Sequence, residues 1–414
     1  MNKAFDMRAD ADIIIKESIA AVLPDEAVAK ALKDCDFGCG KIYMVAAGKA
    51  AWQMGKAAAD ILGDKLHEGI VVTKYQHVLG DIPHTKCFEA GHPVPDDNSF
   101  LATEAAIEVA KKAIEGDTVI FLLSGGGSAL FEKPMITGEE LADITKQLLA
   151  CGADIVEMNT IRKRLSMVKG GKFANICAPA RVYSVVLSDI LGDPLDMIAS
   201  GPAYPDTSTC EQAIAIAEKY NLRLSDEAKK CVSIETPKAL SGVETMITGS
   251  VSNLCKACAD SCKRLGYEPV ILTDMLTCEA KEAGSFLSAM ARTWINNGKS
   301  MAFIAGGETV VHLTGTGKGG RNQEIALSAA EGISGMPNVA VFSVGSDGTD
   351  GPCDAAGGYA DGTAKDKLES AGKKIYDVLR ANDAYNALKL TDGLIITGPT
   401  GTNVNDVAVL LIKE

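Results

Sequence analysis

The chain has 414 residues, 41 Lys plus Arg against 54 Asp plus Glu, and a formal net charge of -13. That balance opposes general binding to a phosphate backbone, and the longest apolar runs, such as Val119–Leu123, are far shorter than the about 20 residues of a membrane helix, so neither nucleic acid nor membrane is an expected partner. Aromatic residues supply only 5% while 41 residues are Gly, which favours an α/β core of Ala, Val, Ile and Leu with many tight turns, divided between two domains.

The opening segment, with Asp6, Asp10, Asp12 and Glu17 interrupting its apolar positions, predicts an amphipathic helix and not a secretory signal, which points to the cytoplasm. Lys41–Ala46 reads as a strand running into a helix over Ala50–Leu62. At the junction stand Gly48 and Lys49, whose free N–H groups and ammonium suit an anion. An exposed lysine at an ordinary strand-to-helix turn explains the same residues. The motif is not a Walker A loop, because Tyr43 stands where the first Gly belongs and Ala50 where Ser or Thr does.

Gly69–Thr73 and Thr118–Leu123 are further strands, the second delivering Ser124, Gly125, Gly126, Gly127 and Ser128. Ordering three consecutive glycines costs conformational entropy, so a nest of N–H donors for a phosphate or carboxylate explains them better than a connector does. Their spacing is not the dinucleotide fingerprint. Arg162, Lys163, Arg164, Lys169 and Lys172 then gather positive charge in an acidic chain. They form either a solvated helix face or a source of one or two cations for an anionic substrate. The strand Arg181–Leu187 ends at Ser188, Asp189 and Asp193, with Asp196 beyond; such carboxylates suit Mg²⁺ or a hydroxyl proton, or simply cap a loop.

After a helix around Ser225–Val232, the segment 233–243 lacks periodicity and predicts the boundary between domains 1–237 and 238–414. Cys255, Cys258 and Cys262 share one stripe of a helix over Asn253–Leu265. Without a fourth ligand at zinc spacing the stripe reads as core, and the remaining cysteines as reduced thiols. Strands follow at Met301–Ala305, Val310–Leu313, Val339–Val344, Leu394–Thr397 and Ala408–Ile412, with helices at Asn322–Glu331 and Asp383–Leu390, so this half is also α/β. Gly315, Gly317, Gly319 and Gly320 lead into Arg321, Asn322 and Glu324 at a helix start, a clamp suited to a polyphosphate. His312 reads as a strand residue. Asp347, Asp350 and Asp354 follow a strand without EF-hand spacing and suit Mg²⁺ or a sugar-like hydroxyl. Thr400, Thr402, Asn403, Asn405 and Asp406 fit polar ligand contacts or turns.

In order, AAGKAA, GHPVPD, LLSGGGSAL, NTIRKRLSMVKGGKFA, SDILGDPLDMIASGP, GGETVVHLTGTGKGGRNQE, GSDGTDG and TGPTGTNVND resemble the glycerate 2-kinases of the MOFRL family, from Lys41 almost to the C-terminus. The resemblance implies a larger N-terminal Rossmann-like domain, a smaller C-terminal α/β MOFRL domain and an active site in the cleft between them. It implies ATP-dependent phosphorylation of D-glycerate at the 2-hydroxyl with Mg²⁺, and active-site roles for Lys49, Arg321 and Asp347. For such a transfer, Lys49 and Arg321 supply positive charge, while Asp189 or Asp347 orients Mg²⁺ or takes the hydroxyl proton, with Asp193 as a further metal ligand. The nest Ser124–Ser128, assisted by Arg162 or Arg164, holds the glycerate carboxylate or the nucleotide phosphates. The C-terminal glycines, with Asn322 and Thr400, contact the nucleotide. Two rival functions are a nicotinamide-dependent hydroxypyruvate reductase and a nonenzymatic regulator that binds a small anion or nucleotide. The first lacks a GxGxxG turn and an acid partner for His92; the second has no need of the aspartates. A homo-oligomer is left open.

Overall fold

The computed structural model describes residues 5–33 and 35–414. The chain divides into two units, each built on a six-stranded sheet. One unit comprises Ala27–Ser188 and Asp193–Thr248. Its strands are β1 (Ile42–Ala47), β2 (Leu66–Lys74), β3 (Thr85–Ala90), β4 (Thr118–Leu123), β5 (Arg181–Leu187) and β6 (Val243–Gly249), in the order β3-β2-β1-β4-β5-β6. From β3 to β5 every pairing is parallel. β1 and β4 are buried at every position, as a parallel strand covered on both faces must be, and this is why their sequences are unbroken apolar runs. The helix Ala51–Leu62 turns Ala51, Met54, Gly55, Ala58, Ala59 and Leu62 inward. That spacing makes one apolar stripe, and burying Met54 or Leu62 contributes about 1.5–3 kcal/mol each.

The strand order is that of the doubly wound Rossmann-like sheet. From β1 the chain winds outward through β2 to β3; from β4 it winds the other way. Ligands bind in such sheets beyond the carboxyl ends of the strands where the winding reverses. Here those ends are Gly48–Lys49 and Ser124–Ser128.

The other unit comprises the chain up to Glu26, Asp189–Gly192 and Gly249–Glu414. Its strands are β7 (Glu268–Leu276), β8 (Met301–Gly307), β9 (Val339–Gly345), β10 (Gly357–Asp361), β11 (Leu394–Ile395) and β12 (Asp406–Ile412), in the order β11-β10-β9-β12-β8-β7. Only β7 and β8 pair in parallel; the other four pairings are antiparallel. The unit is α/β as expected, but its sheet is mixed. β9 runs to β10 without an intervening helix, a link that suits antiparallel neighbours.

Several expected elements shift. Val310–Leu313 forms no strand: Val310 makes a single bridge to Glu279, and Leu313 is 81% exposed. Leu394–Thr397 shortens to β11. The chain passes between units at Thr248–Gly249, beyond the expected boundary at 237/238, because Gly242 accepts a hydrogen bond from Val182 N at 2.8 Å and leads directly into β6.

The helix Met7–Ala20 belongs to the unit made from C-terminal sequence, not to the domain 1–237. Asp10 accepts from the Tyr267 hydroxyl at 2.6 Å and from Lys413 Nζ at 3.3 Å, and Arg8 donates to the carbonyls of Asp392 and Leu394 at 2.8 and 3.1 Å. This helix packs on Val251–Arg264, whose Cys255, Cys258 and Cys262 are fully buried. Burial pushes each thiol up to about 12, which disfavours the thiolate that a metal takes. No described helix is long and apolar enough to cross a membrane.

Candidate active site

β1 and β4 release the chain side by side. Ser124 N donates to Ala47 O at 3.0 Å, Lys49 N to Gly125 O at 2.8 Å and Ala50 N to Ser124 Oγ at 3.0 Å. The lysine turn and the glycine run are therefore one laced structure. Gly48 sits at φ 125°, and a Cβ there would stand 2.3 Å from Ser124 Oγ, so no other residue fits the turn. A Cβ built on Gly126 would lie 3.0 Å from the His92 ring and 3.1 Å from Lys49 Cγ. Lys49, His92 and the nest thus share one corner of the sheet.

Sequence reasoning set His92 aside for want of an acid partner. In space it needs none: burial, then the neighbouring Lys49 and Lys74, hold its pKa below the ordinary 6.5. A neutral imidazole at neutral pH has a ring nitrogen ready to take a proton.

Ser128 is fixed from two directions. Its carbonyl accepts from Arg162 Nη2 at 3.0 Å and Lys169 Nζ at 2.9 Å. Lys169 also donates to Phe131 O at 3.0 Å and pairs with Glu132 at 3.2 Å, both side chains fully buried. Burial pulls the Lys169 ammonium down to about 8, against the attraction of Glu132. On the other side, Ser128 Oγ lies 3.2 Å from Ser200 Oγ, which donates to Asn159 Oδ1 at 2.9 Å. Ala199 and Ser200 hold left-handed conformations at φ 49° and 62°. Such residues cost on the order of 1–3 kcal/mol each and persist where their surroundings over-determine them, commonly at functional sites. Asn159 and Ser200 lie within the segments NTIRKRLSMVKGGKFA and SDILGDPLDMIASGP, but neither residue type by itself points to the nest, to which the fold brings both.

The cation-rich segment is neither a solvated face nor a row of ligands. Arg162 reaches the nest; Arg164 does not. Arg164 is 1% exposed and donates to Thr160 O, Ser208 Oγ and Ser208 O, each at 2.9 Å, with Asp206 at 3.7 Å. Lys163 pairs with Asp206 at 3.0 Å and with Asp196 at 3.4 Å. Buried charges demand such partners, because one left unpaired costs several kcal/mol. Asp189 follows β5 after Ser188. Asp193 holds φ 50°, and its Oδ1 is buried without a hydrogen-bond partner, an orphaned oxygen of the kind that a cation satisfies.

In the other unit, a cleft of about 680 Å³ is lined by the glycine loop, Arg321, Asp347 and the apolar side chains of Val310 and Leu313, among others. The loop is strapped to a neighbouring turn. Gly317 N donates to Ala381 O at 2.9 Å, and Thr314 N and Gly315 N donate to Asn382 Oδ1 at 2.8 Å. A Cβ on Gly315 would lie 2.2 Å from Ala381 O, which explains a glycine there by close approach. The glycines are therefore an ordered rim.

Four expected ligands in this unit have separate tasks. Asp350, 3% exposed, accepts from Asn322 N at 3.1 Å, Gln323 N at 2.9 Å and Gln323 Nε2 at 2.9 Å, and so caps the helix Arg321–Gly332. Asn322 is buried, accepts from Ser343 Oγ at 2.6 Å and braces this helix start; it does not line the cleft. Thr400 donates to Ser346 O at 2.6 Å and faces a separate recess of about 510 Å³. Asp354 is exposed and accepts from Tyr385 Oη at 2.8 Å.

Arg321 grips Asp406 through Nε at 2.5 Å and Nη2 at 3.2 Å, and Glu308 through Nη1 at 2.8 Å. Burial disfavours its charge, but these acidic partners hold the guanidinium above its ordinary range. Asp347 is half-buried, and its Oδ1 accepts from Thr349 N at 2.9 Å. A Cβ on Gly345 would stand 3.3 Å from Asp406 Oδ1 and 3.4 Å from Asp347 Oδ1, so the two carboxylates flank one glycine. Among the described residues, the one set of three metal-ligating side chains within 4.8 Å of one another is Cys210, Glu211 and Glu235.

These two halves have close counterparts. A model of the MOFRL family matches residues 301–406, and one described as a domain of unknown function, DUF4147, matches residues 10–233. A D-glycerate 2-kinase of Thermotoga maritima is 49% identical over 405 residues, 96% of this chain and 97% of that one. A glycerate 2-kinase of Pyrococcus horikoshii is 39% identical over 440 residues, covering 99% of this chain and 98% of that one. The crystal structure of a glycerate kinase from Thermotoga maritima superposes with a TM-score of 0.94 at 48% identity, over 98% of this chain and 99% of that one. With sequence and fold matched from end to end, the chain belongs to the glycerate 2-kinase family, with its MOFRL region in the C-terminal half.

Proposed function

We propose that this protein transfers the γ-phosphoryl group of ATP to the 2-hydroxyl of D-glycerate, giving 2-phosphoglycerate and ADP, in the cytoplasm. The observation that carries the reading is the gathering of Lys49, His92 and the Ser124–Ser128 nest where the winding of the Rossmann-like sheet reverses. The nest, with Arg162 behind it, holds glycerate; the loop Gly315–Gly320 and the apolar wall of Val310 and Leu313 hold ATP.

Phosphoryl transfer asks a protein mainly for alignment and for charge stabilisation. As the bond from the 2-oxygen to γ-phosphorus forms and the bond to the β,γ-bridging oxygen breaks, negative charge spreads over the moving group, and Lys49 and Arg321 neutralise it. His92 accepts the proton that the 2-hydroxyl sheds. Mg²⁺ fits the residues present: Asp193 has an orphaned oxygen, Asp347 keeps carboxylate capacity, and this ion is commonly held by one or two carboxylates plus phosphates. One of Asp189, Asp193 and Asp347 would hold it together with the phosphates, and when bound it would shield their charge.

The test is direct. The protein with ATP, Mg²⁺ and D-glycerate should release ADP and 2-phosphoglycerate, and should not oxidise NADH when given hydroxypyruvate. The opposite pair of results would establish the reductase instead, and ligand binding without turnover in either assay would favour the regulator.

The role of His92 predicts a pH profile. Its active form is neutral, and its pKa is lowered, so kcat/KM should hold as pH falls to 6.5 and decline only below it. His92→Gln should reduce kcat by about 10²-fold and remove that acid limb. An unchanged limb in the variant would assign the proton to another group.

A further inference from the structure

The hydrogen bonds behind the nest have a direction. Ser128 and Ser200 each own one hydroxyl proton. Asn159 Oδ1 only accepts, so the Ser200 proton is committed to it at 2.9 Å. The Asn159 amide nitrogen is turned the other way, 3.8 Å from Met197 Sδ. Ser200 Oγ therefore accepts from Ser128, 3.2 Å away. Ser200 is fully buried and Asn159 is 4% exposed, which leaves little room for water to compete. With the Ser128 carbonyl clamped by Arg162 and Lys169, the backbone of this serine is held as well.

Ser128 has thus turned its proton inward and offers only lone pairs to whatever enters the nest. A carboxylate or phosphate oxygen is itself an acceptor and finds no partner there. An alcohol does. The chain Ser128–Ser200–Asn159 also ends on a neutral amide, which has no capacity to take up a proton. An alcohol resting on Ser128 consequently stays an alcohol. The 2-hydroxyl of glycerate must lose its proton to be phosphorylated, so the group that Ser128 reads is the non-reacting 3-hydroxyl.

We propose that Ser128 makes the enzyme selective for 2,3-dihydroxy acids over 2-hydroxy acids that lack the second hydroxyl. The inference rests on the reading of the nest as the glycerate site. Discrimination follows because a substrate without that hydroxyl leaves a desolvated acceptor unpaired, and sites built to hydrogen-bond a hydroxyl reject analogues lacking it far more strongly than apolar pockets reject a missing methylene.

The experiment compares kcat/KM for D-glycerate and D-lactate, at saturating ATP, in the wild type, Ser128→Ala and Ser200→Gly, with thermal unfolding as a check on the fold. Glycine suits the left-handed backbone at 200 while removing the hydroxyl. The wild type should favour glycerate by about 10²-fold or more. In Ser128→Ala the preference should collapse to below about 10-fold, through loss of activity on glycerate with little change on lactate. Ser200→Gly frees the Ser128 proton and should erode the preference in the same direction. Equal losses on both acids would make Ser128 merely structural and overturn the proposal. A raised KM for ATP with an unchanged ratio of the two acids would put phosphates in the nest and overturn it also. A wild type that phosphorylates neither acid would overturn the proposed function itself.

Discussion

Lys49→Ala should lower kcat by about two orders of magnitude or more and leave the thermal unfolding of the protein almost unchanged. A factor of that size corresponds to about 2.7 kcal/mol, within the range measured when one preorganised donor to a transition state is removed. The fold should tolerate the change because the turn is laced through the backbone: Lys49 N donates to Gly125 O and Lys49 O accepts from Thr73 Oγ1, and alanine keeps both. If the ammonium were only an exposed surface charge, its removal would be nearly silent. Steady-state kinetics with glycerate and ATP, beside a melting curve, decides the matter. Near-normal turnover in a folded variant would rule the role out.

Asp347→Asn separates two tasks of one side chain. Asp347 Oδ1 accepts from Thr349 N at 2.9 Å, a turn contact that the asparagine oxygen can reproduce. What asparagine lacks is the charge. If Asp347 orients Mg²⁺ at the phosphates, kcat should fall by about 10²-fold or more while the melting temperature moves little. If it only closes the turn, both quantities should stay near the wild type, and Asp189 becomes the better ligand. Titration of the dependence of rate on Mg²⁺ concentration adds a second readout, since a lost ligand raises the concentration required.

The sequence carries the middle of the first sheet plainly, while its edge strands β3 and β6 show no such pattern. Burial on both faces makes β1 and β4 nearly unbroken apolar runs, and such runs are visible without any partner. β7 reads differently: Pro269 stands in it, and Val270, Ile271 and Leu272 are exposed at the sheet edge, so it shows neither alternation nor enclosure. β10 is Gly357–Asp361, with two glycines in five residues, and it is a strand because Leu394–Ile395 and β9 pair with it. Val310–Leu313 misleads in the opposite sense, since apolar residues there line a cleft and not a core.

The candidate site divides in the same way. Gly48, Lys49 and the nest are legible because glycine at a strand end signals a backbone demand that local chemistry creates. His92, Ser200 and Asn159 come to the nest from three other places in the chain, and although each lies in a quoted segment, nothing in its local chemistry links it to the nest. Arg162 and Arg164 look equivalent in sequence. Two residues of helix separate them by about 200° around the axis, so one meets Ser128 and the other enters the interior.

One feature of the C-terminal unit bears on how the protein is made. The helix Met7–Ala20 precedes everything it touches, and β12, the last strand in chain order, lies in the middle of its sheet between β8 and β9. A ribosome therefore releases the helix long before Tyr267 and Lys413 exist to receive Asp10. Asp406, which grips Arg321, arrives only at the start of β12, 85 residues after its partner. A nascent chain interrupted before β12 has a sheet split into two pieces and a guanidinium without its bidentate carboxylate. A chain released before β12 therefore lacks the carboxylate that Arg321 grips.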